Sequence, residues 1–302
     1  AMESHKTTVS TRVRCGTDAE EVVAEVCSAL AASDSVDGVV AGAAEAWLAR
    51  RRGVGGASSM AEDEEAWDGD DELRGALAVV AVCVVADGKD GASVAALVAS
   101  DGGVVGWVSR VYSAMAAVAG HGLDVVVQVA EVHAAVAGGE SGGRMYGHTC
   151  MGGTFDRLHI GHKALLTGAV MATCGVLKIG VSDDAMVAEK KHAELIEPVD
   201  VRIAATRAAC LRIHPGLEYS VFPIHDMWGP TRDDPELDAM VVSAETVAGG
   251  YAIRKARNER GLTPEIDVVV VDLVQPADAG GNDVSTKVSS SALRAAEAVR
   301  QA

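Results

Sequence analysis

From about residue 145 onward the chain changes its hydrophobic period at regular intervals, and that alternation constrains the fold more than any other feature. Strand-like apolar runs fall at 145–151, 176–181, 217–223, 240–243 and 266–274. Helix-like runs fall between and after them, at 159–174, 199–213, 246–260 and 290–302. Strands that alternate with helices imply a mostly parallel sheet with helices on both faces. The expected fold class is α/β, a Rossmann-like parallel five-stranded sheet. In such sheets ligands sit beyond the carboxyl ends of the strands, at the point where strand order reverses.

The first 140 residues read as a separate N-terminal accessory α/β domain. Residues 1–17 are polar and are expected to fray. Helical spacing runs through 18–51, where Val22, Val23, Val26 and Leu30 recur on one face. A Gly/Ser-rich stretch follows, with eight acidic residues between Glu62 and Glu72. Such a segment buries too little apolar surface to offset its chain entropy, so 53–75 reads as a disordered acidic loop rather than a metal site. A buried strand is expected at 76–85, helices at 94–99 and 104–119, and a further strand at 123–129. Gly138, Gly139, Ser141, Gly142 and Gly143 mark a flexible joint. The second domain then spans 144–302.

Charge and cysteine usage narrow the function classes. A formal net charge of −17 argues against a nucleic-acid surface, which needs a basic stripe. It leaves a nucleotide substrate open, because a few well-placed donors suffice. No apolar run reaches the roughly 18 to 20 residues of a membrane span, so no membrane partner is expected. No apolar signal-peptide core stands near the start, and Ala1 before Met2 reads as an expression remnant. The six cysteines form no CxxC pair and read as reduced thiols of a cytoplasmic protein. Assembly is left open, with a homo-oligomer among the options.

The residues with the most chemistry stand between the first strand and first helix of the second domain. There Gly152-Gly153-Thr154-Phe155-Asp156-Arg157-Leu158-His159-Ile160-Gly161-His162 places a glycine turn ahead of a His-x-Gly-His tetrad. Backbone N–H groups at a helix start carry the positive end of the helix dipole and take anions readily. Glycines let the backbone approach a phosphate. His159 and His162 lie three residues apart on the first helical turn and can donate to phosphate oxygens as charge builds in a transition state. The competing reading is a pair of surface histidines capping a helix. A second such element, Lys287-Val288-Ser289-Ser290-Ser291-Ala292-Leu293-Arg294, opens the last helix. Alone, it would be a plain serine N-cap. With the histidine turn in the same sheet, the two loops can clamp one triphosphate from both sides.

These two runs resemble the nucleotidyltransferase superfamily, and more narrowly the phosphopantetheine adenylyltransferases of the eukaryotic and archaeal type. Three further stretches carry the narrower likeness. They are Ile179 to Asp184, the run from Lys190-Lys191 through Glu194-Leu195-Ile196-Glu197-Pro198-Val199 to Arg202, and Val242-Ser243-Ala244-Glu245-Thr246 with Tyr251 to Lys255. The likeness covers roughly residues 144 to 301. It implies coenzyme A biosynthesis: ATP and 4′-phosphopantetheine give dephospho-coenzyme A and pyrophosphate by direct attack of the acceptor phosphate on the α-phosphorus. It implies that His159, His162 and Lys191 are catalytic. It implies ATP binding by Gly152, Gly153, Thr154, Phe155, His159, His162, Ser243, Ala244, Glu245, Thr246, Lys287, Ser289, Ser290, Ser291 and Arg294. Thr154, Lys190, Lys191 and Arg202 would bind the acceptor, with a structural ion pair the other reading of Arg202. Mg2+ would be held mainly by ATP phosphates, with no protein carboxylate cage. Ala244 stands where the family usually has an acidic residue, so only backbone contacts carry over there.

Other readings stand beside this one. Lys190 and Lys191 taken alone resemble a solvated face. His148 reads as a packed histidine, and His192, His214 and His225 show no metal spacing. Asp233-Asp234-Pro235 reads as a turn, and Asp183 and Asp184 end a strand facing the site. The alternatives for function are another adenylyl- or cytidylyltransferase, such as a nicotinamide mononucleotide adenylyltransferase, or a non-catalytic nucleotide-binding regulator. A tRNA synthetase is disfavoured by length and acidity, and no G-x-x-x-x-G-K-[ST] loop supports a kinase.

Overall fold

The computed structural model describes residues 7–14, 24, 28, 78–85, 108–109, 111–113, 115, 123–130, 146–272, 274 and 289–301. Strands β1 (Thr7–Arg14), β2 (Ala78–Val85) and β3 (Leu123–Ala130) form one parallel sheet in the order β1-β2-β3. β1 replaces the frayed terminus expected there. Its sequence, TTVSTRVR, is rich in β-branched residues, which suit a pleated surface. Ala24, Ser28 and the described residues of 108–115 are helical, in keeping with the period read there. The remainder of the 18–51 helix, the acidic loop 53–75, the helix 94–99, the glycine joint and Lys287 lie outside the described residues.

The second sheet has five parallel strands: β4 (Tyr146–Gly153), β5 (Thr173–Ser182), β6 (Glu218–Ile224), β7 (Ala239–Ser243) and β8 (Asp267–Val271). Their order is β6-β5-β4-β7-β8, so β4 is central and the order reverses on either side of it. The Rossmann-like expectation holds, and β4 ends at the switch point. Helices α1 (Ile160–Ala172), α2 (Asp184–Val187), α3 (Val199–Ile213), α4 (Val247–Glu259) and α5 (Ser290–Gln301) follow the strands. Among the described residues no helix is long and apolar enough to cross a membrane.

Both faces of this sheet are covered. Leu177, Ile179 and Val181 of β5 and Leu166, Ala169 and Val170 of α1 are fully buried. On the α4 side, Cys150, Leu237, Met240, Val242, Ile253 and Ile266 form one cluster with Trp228, Val247 and Val268 packed against it. Aliphatic residues dominate, as expected of a parallel sheet buried on both sides. α1 runs straight into β5 without a loop. Thr173 serves as its C-cap, donates to the Ala169 carbonyl at 2.7 Å and meets Thr149 of β4 at 2.5 Å.

Candidate active site

The turn after β4 is built by backbone strain and one buried carboxylate. Phe155 and Arg157 take positive φ values of 50° and 46°. Non-glycine residues hold that conformation only where the surroundings over-determine it. Asp156 between them supplies the anchor. Its carboxylate is fully buried, with Oδ2 2.5 Å from Arg294 Nη1 and Oδ1 2.8 Å from Arg157 Nη1. Arg157 also reaches Glu297 at 2.6 Å, and Ser290 Oγ donates to the Asp156 carbonyl at 2.7 Å. One short turn after the central strand is thus tied to the start of α5, more than 130 residues further on.

His159 is the N-cap of α1, and its Nδ1 accepts from the Gly161 N–H at 3.2 Å. A ring nitrogen that accepts carries no proton, so Nε2 is the remaining donor. The tetrad's glycine has a steric reason. A Cβ at Gly161 would lie 3.1 Å from the His159 ring. The two imidazoles stack with centroids 4.0 Å apart, and Phe155 packs against His162 at 5.6 Å.

The late serine loop divides its work three ways. Ser289 Oγ accepts from Ala292 N, the N-cap bond of α5. Ser290 holds the early turn, and Ser291 Oγ accepts from Arg294 at 3.2 Å. The Ser290 and Ser291 N–H groups are first-turn donors that helix geometry leaves without an intrahelical acceptor. The Ser243–Thr246 turn after β7 opens α4, with Thr246 N donating to Ser243 O. Three helix starts therefore point to the carboxyl edge of the sheet. None of α1, α4 and α5 has an acidic residue in its first turn, so no first-turn carboxylate competes with a ligand anion for those N–H groups.

They enclose a cleft of about 540 Å³. Its walls include Gly152, Gly153, Thr154, Phe155, His159, His162, Lys190, Ser243, Glu245, Thr246, Ser289, Ser290, Ser291 and Arg294. Most of the sequence-read site residues thus share one cavity, and three of the described ones do not. Ala244 and Lys191 are exposed and lie off the walls. The Ala244 N–H is taken by the Val271 carbonyl, and the Lys191 carbonyl accepts from Arg294. Arg202 is fully buried and is bound to the carbonyls of Glu197, Thr154 and Ser182 and to Asp184. Arg202 thus has one ion pair, with Asp184, beside three carbonyl partners. Lys287 is outside the described residues. Arg294 lines the cleft, yet its guanidinium is neutralised by Asp156.

Sequence reasoning passed over several wall residues. Ser182, Met186, Ile224, Met227, Gly249, Gly250 and Asp272 line the cleft. Ser182, Ile224 and Asp272 end or follow strands, so the switch-point rule alone could have singled them out. Beside the cleft, Asp183 caps α2 and meets His225 Nδ1 at 2.7 Å. The hydrogen bond from His225, and then the Met186 N–H, hold the Asp183 carboxyl below the usual carboxylate range. A side pocket of about 60 Å³ shares Gly152, Ile224 and Met227 with the cleft and is lined also by Phe222, Trp228, Lys178 and Asp234. Burial pushes the Cys150 thiol at its edge up to about 12, so it is not a nucleophile near neutral pH.

Fold and site together define the class, a nucleotidyltransferase domain with two helix-start loops over one cleft. A family model described as cytidylyltransferase-like matches residues 150–296. The phosphopantetheine adenylyltransferase of Pyrococcus furiosus is 37% identical over 152 residues, covering 50% of this chain and 89% of the archaeal protein. That of Methanopyrus kandleri is 37% identical over 144 residues, covering 48% and 86%. The Saccharomyces cerevisiae phosphopantetheine adenylyltransferase is 38% identical over 146 residues, but the match spans only 48% of this chain and 47% of the yeast protein. The chain belongs to the phosphopantetheine adenylyltransferase family.

Proposed function

We propose that the chain transfers the adenylyl group of ATP to 4′-phosphopantetheine, yielding dephospho-coenzyme A and pyrophosphate. The supporting observation is the convergence of three helix starts, both imidazoles and Lys190 on one cleft. An oxygen of the acceptor phosphate attacks the α-phosphorus, the bond to the bridging α–β oxygen breaks, and pyrophosphate leaves with that electron pair. No covalent enzyme intermediate is needed, so catalysis rests on positioning and charge neutralisation.

His159 Nε2 and His162 donate to the triphosphate near the reacting centre. The first-turn N–H groups of Ser290 and Ser291 take the β- and γ-phosphates from the other side. Lys190, on the cleft wall, brings in the acceptor phosphate and offsets repulsion between two anions. Lys191 serves through its backbone. Arg202 and Arg294 position loops rather than touch phosphate. Ile224 and Met227 on the cleft wall offer apolar contacts for the pantetheine arm. No group of three metal-ligating side chains occurs among the described residues. A Mg2+ ion carried by substrate oxygens and water would neutralise phosphate charge there. The reading goes with a reducing cytoplasm.

Incubating the chain with ATP, Mg2+ and either 4′-phosphopantetheine or nicotinamide mononucleotide tests this. Dephospho-coenzyme A and pyrophosphate in equal amounts are expected. A preference for the mononucleotide, or ATP binding without product, would overturn the reading in favour of the corresponding alternative.

A further inference from the structure

Described residues of the N-terminal half touch the cleft's framework through polar contacts. In the helical stretch around 108–115, Val108, Val111, Tyr112 and Met115 are fully buried and Ser109 is 3% exposed. The Tyr112 hydroxyl lies 3.0 Å from Thr167 Oγ1, at the middle of α1, and accepts from the Val127 N–H of β3 at 3.0 Å. Thr167 and Val127 are themselves fully buried. β3 also packs against both α1 and α3. Ser109 Oγ donates to the carbonyl of Asp272, and Asp272 lines the cleft at the end of β8.

These contacts are not those of a loosely appended module. Interfaces between independent domains are more polar and better solvated than a core. Here one hydroxyl joins an edge strand of the first sheet to the helix that carries the histidine turn. Thr167 stands five residues after His162, about 7.5 Å along the axis. A helix held at its middle keeps the direction of its start, and a strand end held by its carbonyl keeps its neighbouring wall.

We infer that the N-terminal half is part of the triphosphate site's architecture, with Tyr112 and Ser109 as positioning residues for α1 and for the end of β8. The inference rests on the cleft being an ATP site and assigns a role to the half of the chain outside the family match. It predicts that small changes 20 or more residues before the catalytic sheet begins alter ATP binding. It also predicts that the polar tie between Tyr112 and Thr167 acts as a unit.

The test uses the full chain carrying Tyr112→Phe, Ser109→Ala, Thr167→Val or the Tyr112→Phe/Thr167→Val pair. ATP affinity is measured by calorimetry well below each variant's melting temperature. Each single change is expected to weaken ATP binding about three- to tenfold, the range typical of coupling across a buried contact. The Tyr112/Thr167 double variant should lose no more than the worse single variant, because both changes break the same tie. ATP affinities equal to wild type, whatever happens to melting temperature, would overturn the inference and leave a purely structural scaffold. Additive losses in the double variant would overturn the role assigned to the Tyr112–Thr167 tie. Wild type that binds ATP but makes no dephospho-coenzyme A refutes the proposed reaction while leaving these comparisons decisive. Wild type with no ATP affinity refutes both.

Discussion

Replacing Asp156 by Asn keeps the side-chain volume and removes one negative charge from a fully buried position. The magnitude follows from what the carboxylate holds. Oδ2 faces Arg294 at 2.5 Å and Oδ1 faces Arg157 at 2.8 Å. An amide keeps one acceptor but turns N–H donors toward the other guanidinium, so one arginine meets a donor instead of an oxygen. Arg294 suffers more, because it is 2% exposed and cannot turn to water, whereas Arg157 is one-fifth exposed and keeps Glu297. Leaving a buried charge without its partner costs about 3–5 kcal/mol. At roughly 2–4 °C per kcal/mol for a domain of this size, the melting temperature should fall on the order of 10 °C. Differential scanning calorimetry reads this directly. The companion variant Asp156→Asn/Arg294→Met removes the stranded charge and should recover part of the loss. A melting temperature for Asp156→Asn indistinguishable from wild type would refute the argument that this carboxylate anchors the start of α5.

Three further outcomes follow from the geometry. His162→Ala should lower kcat about 10²- to 10³-fold, the cost typical of losing one transition-state donor, with the thermal unfolding curve preserved. Gly161→Ala puts a methyl group 3.1 Å from the His159 ring, and steady-state kinetics should show kcat falling about tenfold as that imidazole tilts away. Glu265 accepts from Arg254 and then Asn258, which together lower its carboxyl from the ordinary 4.5 to about 2. A depressed carboxylate contributes stability above its unfolded value and loses it as pH falls toward its folded value. In chemical denaturation the stability gap between wild type and Glu265→Gln should therefore be constant above pH 4.5 and close toward about pH 2.

The period of the hydrophobic pattern carried the fold because a parallel sheet buried on both faces leaves apolar runs that polar helix faces interrupt. α3 falls at Val199–Ile213, with the same ends that its spacing predicts. The two phosphate-type loops meet in one cleft because all five strands are parallel, so every strand-to-helix turn opens on the same edge. Less legible was the work of the arginines. A cation near a phosphate loop looks the same in sequence whether it faces the ligand or the protein. The sequence pattern points Arg294 toward phosphate, yet its partner Asp156 lies 138 positions earlier. For Arg202 the deciding contacts are three carbonyls, which leave no mark in side-chain pattern. Lys190 lines the cleft and Lys191 does not, a difference that two adjacent lysines do not show in sequence. β1 was missed because its Ser, Thr and Arg residues gave the segment a polar average that masked its β-branched content.

A crystal structure of the chain with ATP and Mg2+ bound tests the central claim most directly. Triphosphate oxygens are expected within about 3.2 Å of His162 on one side and of the Ser290 or Ser291 N–H on the other. A triphosphate that touches only one of these loops, or lies outside the cleft they share, would contradict it.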